Sequence, residues 1–119
     1  MQSFLARLVL VLVVTLSVRT VALGDGPVTI HLMNNTVDNL VVTLYDRHLN
    51  PQQPILSGQV IYSNASMVTS ISADASGHGR VYWTAMTTDR VMRHCGHHTE
   101  DGINSGDTIQ VYADGPCSH

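Results

Sequence analysis

The sequence of 119 residues contains no lysine and only six arginines. Beyond residue 24, four arginines stand against nine acidic side chains, which gives a formal charge of −5 with the histidines neutral. Nucleic acids and anionic membranes are bound through a basic footprint on the protein. The acidic composition therefore predicts that neither of them is a partner.

Long apolar runs are also scarce, and the single one lies at the N-terminus. Leu8–Leu16 is almost entirely apolar, Arg7 precedes it, and Ala22-Leu23-Gly24 places small residues where a signal peptidase cleaves. This arrangement is typical of a secretory signal peptide. A membrane anchor is the alternative, but a spanning helix needs about 20 apolar residues, and Arg19 interrupts the run.

We therefore expect residues 1–24 to be a cleaved signal peptide and residues 25–119 to form one domain. No second apolar run of spanning length follows, so we expect no membrane span after signal removal. The predicted location is secreted or periplasmic.

Cysteine occurs only twice, at positions 95 and 117. In an exported chain two cysteines most simply form one disulfide. The Cys95–Cys117 bond would close a loop of about twenty residues, which the chain-entropy model values at about 3 kcal/mol. A domain this small buries a modest core, so such a bond is a large part of its stability.

No segment beyond residue 24 shows a sustained helical period, whereas apolar and polar residues alternate in short runs between turn signals. The predicted strands are 28–33, 40–46, 55–62, 66–73, 80–88 and 107–113, with a further short strand at 90–94. This pattern predicts an all-β fold, a small antiparallel β-sandwich of six or seven strands, immunoglobulin-like in the broad sense. A small closed β-barrel is the alternative.

On the fifth predicted strand, Trp83 shares a face with Val81 and Ala85, so we expect it in the core. Tyr82 lies on the opposite face with Thr84 and Met86. That second face is either exposed and adhesive or covered by another sheet.

The richest local chemistry is the hexapeptide Arg-His-Cys-Gly-His-His at residues 93–98, in a predicted long loop between Asp89 and Asp107. The disulfide would bring the C-terminal tail beside this loop. Copper or zinc accepts imidazole ligands, and the candidate ligands are His94, His97, His98 and His119. The alternative is a solvated loop. Zinc binding through Cys95 would compete with the disulfide.

The same loop is the candidate interaction surface, with Arg93, His97, His98, Glu100 and Asp101 as its residues. No Gly-x-Ser-x-Gly or His-Glu-x-x-His motif occurs, and we assign no catalytic residue. The leading hypothesis is a small exported, non-enzymatic binding protein with a protein or glycan partner. The alternatives are a copper- or zinc-binding exported protein and, third, a small secreted hydrolase.

Two tripeptides match the acceptor pattern for N-glycosylation, and both are expected in turns. They begin at Asn34 and Asn64.

Overall fold

The computed structural model describes residues 26–49 and 52–117, and these residues form an all-β fold without a helix. The predicted signal peptide and His119 lie outside the described residues. Seven strands follow one another: β1 (Val28–Asn34), β2 (Leu40–Asp46), β3 (Gln53–Ile61), β4 (Ala65–Ile71), β5 (Gly79–Thr87), β6 (Cys95–Ile103) and β7 (Thr108–Val111).

The strands form two sheets that pack as a sandwich, which confirms the predicted fold class. One sheet has the order β4-β1-β7 and the other the order β3-β2-β5-β6, so the strands do not close into a barrel. One detail differs from the prediction: β1 and β7 pair in parallel. A parallel pair requires a long connection between its strands, and here the rest of the chain provides it.

The core follows from the two-residue period of the strands. Buried and partly buried residues alternate without exception along β1 and β2, because successive side chains of a strand point to opposite faces. The apolar side chains at the buried positions fill the space between the sheets. They are Val28, Ile30, Leu32, Leu40, Val42, Leu44, Ile61, Ile71, Val81, Trp83, Ala85, Ile103, Ile109 and Val111.

Trp83 lies at the centre of this core and is fully buried, as predicted. Its ring meets Tyr112 edge-on, with centroids 5.0 Å apart and an interplanar angle of 86°, a favoured aromatic geometry. Its Nε1 donates to Glu100 Oε2 at 3.3 Å. The indole therefore connects the core to β6 and to the C-terminal segment.

Two buried polar side chains join the sheets at opposite ends of the sandwich. At the end of β1, the Asn34 amide donates to Asp38 O and to Ile61 O of the other sheet, both at 2.8 Å. At the far end of β2, Asp46 Oδ2 accepts from the backbone N–H and the hydroxyl of Ser72, at 2.7 and 2.6 Å. Each satisfies polar groups that would otherwise be buried without partners.

The position of Asn34 corrects one expectation, because this residue ends a strand and is fully buried. Its amide nitrogen, the atom to which a glycan would be attached, already makes both of its hydrogen bonds. Asn64 does lie in a turn, exposed and with φ at 62°. Of the two acceptor sequences, the one at Asn64 is therefore the accessible one.

The segment from Asp89 to Asp107 was expected to be a long loop, and that expectation is wrong. Residues 95–103 form β6, which pairs antiparallel with β5. The short strand predicted at 90–94 is absent from this segment, which bends instead. Asp89 Oδ1 accepts the N–H groups of Val91 and Met92 there, and these bonds lower the pKa of Asp89.

β6 escaped prediction because it is an edge strand whose sequence is polar on both faces. Its backbone is held by β5, so the strand needs no apolar alternation of its own. Similarly, β3 begins at Gln53, inside the predicted loop, and includes Pro54. Proline is tolerated there because β3 is also an edge strand.

Candidate functional site

Three rings form a row across the outer face of the four-stranded sheet. Tyr45 on β2 lies opposite Tyr82 on β5, with ring centroids 6.1 Å apart. His97 on β6 continues the row at 6.1 Å from Tyr82. We call these three residues the ring row. They face away from the core because their neighbours Leu44 and Trp83 face into it.

Threonine hydroxyls surround the ring row, and the charged side chains lie at the margins of this face. Thr43, Thr84 and Thr99 alternate with the rings on the same three strands. At one end of the face, Arg80 and Asp101 form an exposed ion pair, Nε to Oδ2 at 3.6 Å. At the centre of the face lie the rings and hydroxyls, with Tyr45 and Tyr82 half-buried and His97 exposed.

A groove of about 590 Å³ continues the face toward the C-terminal segment. Tyr82, Thr84 and His97 form part of one wall, and Asp114 and Pro116 form part of the other. The groove is partly open to solvent. Its one carboxylate, Asp114, is exposed.

The disulfide and two backbone hydrogen bonds hold the C-terminal wall in place. Cys95 is bonded to Cys117, which confirms the predicted pair. Cys95 and Gly115 exchange hydrogen bonds of 2.9 and 3.0 Å. Gly96 allows the close approach, because a Cβ there would collide with the carbonyl oxygen of Tyr112.

The candidate metal ligands are distributed over different parts of the sheet edge. His97 and His98 are consecutive in β6, so they point to opposite faces. His97 joins the ring row, whereas His98 Nε2 lies 3.9 Å from Glu100 Oε2. His94 stands three residues from His97, before the strand begins, and is exposed.

In residues 26–49 and 52–117, no three side chains of His, Cys, Asp or Glu are grouped to hold a metal ion. Cys95 is oxidised in the disulfide and offers no thiolate. The fourth proposed ligand, His119, lies outside the described residues, so the copper or zinc hypothesis stays a prediction.

Most of the predicted interaction loop is a strand, which corrects the secondary structure expected for it. Of its five residues, Arg93 precedes β6, and His97, His98, Glu100 and Asp101 belong to that strand. They therefore lie on two faces. His97 and Asp101 lie on the outer face, whereas Glu100 accepts from Trp83 on the inner side.

The sequence pattern did not single out Tyr45 of the ring row or Asp114 of the groove. The alternation that places Tyr82 on the outer face also applies to Tyr45, since Leu44 is a core residue. What the sequence lacks is the strand order that makes β2, β5 and β6 neighbours. Asp114 lies at the groove because the next residue, Gly115, pairs with Cys95 of β6.

Comparison with models of protein families, with curated proteins and with solved structures finds no match for this chain. Fold and site together define a small all-β sandwich with one disulfide and a row of aromatic rings on the outer face of one sheet. The disulfide indicates an oxidising compartment outside the cytoplasm. Among the described residues, no helix is long and apolar enough to cross a membrane.

Proposed function

We propose that this chain is an exported, non-enzymatic binding module that recognises a neutral glycan. Its recognition surface is the ring row together with the adjoining groove. The observation that carries the proposal is the row itself: Tyr45, Tyr82 and His97 are spaced at 6.1 Å across three strands of a solvent-facing sheet.

The chemistry of the surface favours a sugar over a charged partner. A pyranose ring has an apolar C–H face that packs on an aromatic ring and a polar rim of hydroxyls. The tyrosines supply the π surfaces, and Thr84, Thr99 and Asp114 supply hydrogen-bonding groups beside them. A phosphorylated or sulfated partner would need free cations, and Arg80 at the end of this face is paired with Asp101.

The shape of the surface favours a chain of sugars over a single one. The rings extend in a line across the strands, and the groove prolongs that line past His97 to the wall at Pro116. An extended glycan can contact several of these groups at once, whereas a monosaccharide would cover one ring.

The test is retention of the purified protein by neutral polysaccharides. Insoluble cellulose and chitin serve in sedimentation assays, and soluble xylan and mannan serve in affinity electrophoresis, with polygalacturonate as the anionic comparison. We expect retention by at least one neutral polymer and a weaker effect of polygalacturonate. A protein that none of the neutral polymers retains would refute glycan recognition.

The matched variants are Tyr82→Ala and Tyr62→Ala. Tyr82 is central to the ring row, whereas Tyr62 is 64 % exposed and lies in the turn after β3, away from the row. Because a stacked ring contributes about 0.5–1.5 kcal/mol, Tyr82→Ala should weaken binding about twofold to twelvefold. Equal binding by both variants would show that the ring row is not the recognition surface.

A further inference from the structure

β4 offers an unprotected sheet edge. In the part of the chain that the structure describes, β4 pairs with β1 on one side and with no strand on the other. Its seven residues, Ala65–Ile71, include no charged residue, proline or glycine. Their register with β1 runs from end to end without a bulge. Such an edge is a template for pairing with another strand.

The three other edge strands carry features that prevent pairing. β3 contains Pro54, a positive φ at Gly58 and an irregular register. β6 carries acidic and imidazole side chains, and Gly115 covers its edge at Cys95. β7 has four residues. These are the devices by which sheet proteins avoid association through their edges, and β4 lacks them.

The hydrogen bonds of β1 determine which backbone groups of β4 face outward. The N–H of His31 donates to Asp107 O at 2.9 Å, on the β7 side of β1. His31 lies opposite Val68, so this is a non-hydrogen-bonded pair of the β1–β4 ladder. The N–H and C=O of Val68 therefore point to the free edge, as do those of Ser66 and Ser70.

At this edge the residues two positions before and after Val68 are both serine, whereas its immediate neighbours differ. Reading outward, Met67 and Thr69 flank it, and Ser66 and Ser70 follow. We propose that β4 pairs antiparallel with β4 of a second copy, with Val68 opposite Val68 on a twofold axis. Ser66 then lies opposite Ser70 of the other copy, and the outward-facing groups at all three positions exchange their hydrogen bonds.

The side chains suit this arrangement. Val68 is 58 % exposed, and pairing brings two valine side chains together across the axis, a favourable β-branched contact. No like charges meet, because the edge carries none. The contact is isologous and closes on itself, so it produces a dimer with one continuous six-stranded sheet and not a fibre. This inference is independent of the proposed glycan recognition.

A single strand pair buries less area than a standard interface of about 1,600 Å², so the dimer should be weak. Sedimentation velocity of the purified protein up to about 1 mM detects such association. We expect a monomer–dimer equilibrium. Val68→Lys should yield a monomer. Gln110→Lys adds the same charge at an exposed position of β7 in the same sheet, and this variant should still dimerise. A wild-type monomer throughout, or equal behaviour of both variants, would overturn the proposal.

Cysteine cross-linking tests the register independently of affinity. Val68→Cys should form a disulfide-linked dimer under mild oxidation. A mixture of Ser66→Cys with Ser70→Cys should cross-link between the two variants, whereas Ser66→Cys alone should cross-link poorly. Cross-linking of Ser66→Cys with itself as efficient as that of Val68→Cys would contradict the twofold axis at Val68. The Gln110→Cys variant is the control for random collision.

Discussion

At the scale of single residues, the buried hydrogen bonds of Asp46 and Asn34 fix the position of one sheet relative to the other, which apolar packing alone cannot do. Each lies at the end of a strand of one sheet and hydrogen-bonds to a residue of the other sheet or just beyond it. Dispersion and burial hold the sheets together but are not directional. The buried hydrogen bonds fix the position of one sheet along the other, since an incorrect offset would leave these polar groups unpaired.

Asp46→Asn tests this role. Asp46 is 2 % exposed, and its Oδ2 accepts two hydrogen bonds from Ser72. Asp46 Oδ1 also accepts a hydrogen bond, from the His48 N–H, so in either orientation the amide NH₂ of asparagine would face a backbone N–H. We expect a loss of about 2–3 kcal/mol in the free energy of unfolding, measured by urea denaturation.

The control for Asp46→Asn is Ser72→Ala, which removes the hydroxyl and retains the backbone N–H. It should cost about 1 kcal/mol. An Asp46→Asn protein as stable as Ser72→Ala would show that the carboxylate does not hold the sheets in place.

At the scale of the strands, β6 has two roles. Its outer face adds His97 to the ring row, and its first residues hold the C-terminal wall of the groove. The close approach at Gly96 makes the second role possible. The strand therefore connects the disulfide to the proposed recognition surface.

Gly96→Ala should disturb this connection. The new Cβ would collide with the carbonyl oxygen of Tyr112, and backbone atoms cannot rotate away as a flexible side chain can. We expect a loss of about 1–3 kcal/mol in denaturant unfolding, together with a change in Trp83 fluorescence, because Tyr112 packs against that indole.

Gly115→Ala is the matched substitution for Gly96→Ala. A Cβ at Gly115 would lie at an ordinary contact distance, 3.5 Å from Cys95 O. It should therefore leave stability almost unchanged. If the two variants were equally stable, the close approach at Gly96 would not matter to the fold.

At the scale of the whole molecule, the chain combines a modest core with one covalent bond. The bond joins residues 22 apart in sequence and ties the C-terminal segment to an edge strand. It does not cross between the sheets through the core as the immunoglobulin disulfide does. The disulfide therefore holds the C-terminal segment against β6.

The double substitution Cys95→Ser with Cys117→Ser should lower the free energy of unfolding by about 3 kcal/mol in the chain-entropy model. Guanidinium denaturation measures the loss, and reduced wild-type protein should unfold at the same concentration as the variant. Thiol counting on denatured, unreduced protein should find no free thiol. A loss below about 1 kcal/mol would mean that strain offsets the entropic gain.

The all-β class, most strands, the disulfide pair and the core position of Trp83 could all be predicted from the amino-acid sequence. These depend on a two-residue period and on cysteine number, which are local or countable properties. The same period placed Tyr82 on the face opposite Trp83 and left open whether that face is exposed or covered by another sheet.

The strand order is visible only in the tertiary structure. The ring row, the burial of Asn34 and the pairing that forms β6 all depend on that order. Tyr45, Tyr82 and His97 are neighbours because β2, β5 and β6 are, and no local pattern records that order. β6 lies at an edge of the sheet, and its backbone hydrogen bonds are made with β5. Its side chains can therefore be polar on both faces, so no apolar alternation marks this strand in the sequence. The proposed recognition surface and the free edge of β4 therefore follow from pairing between distant segments.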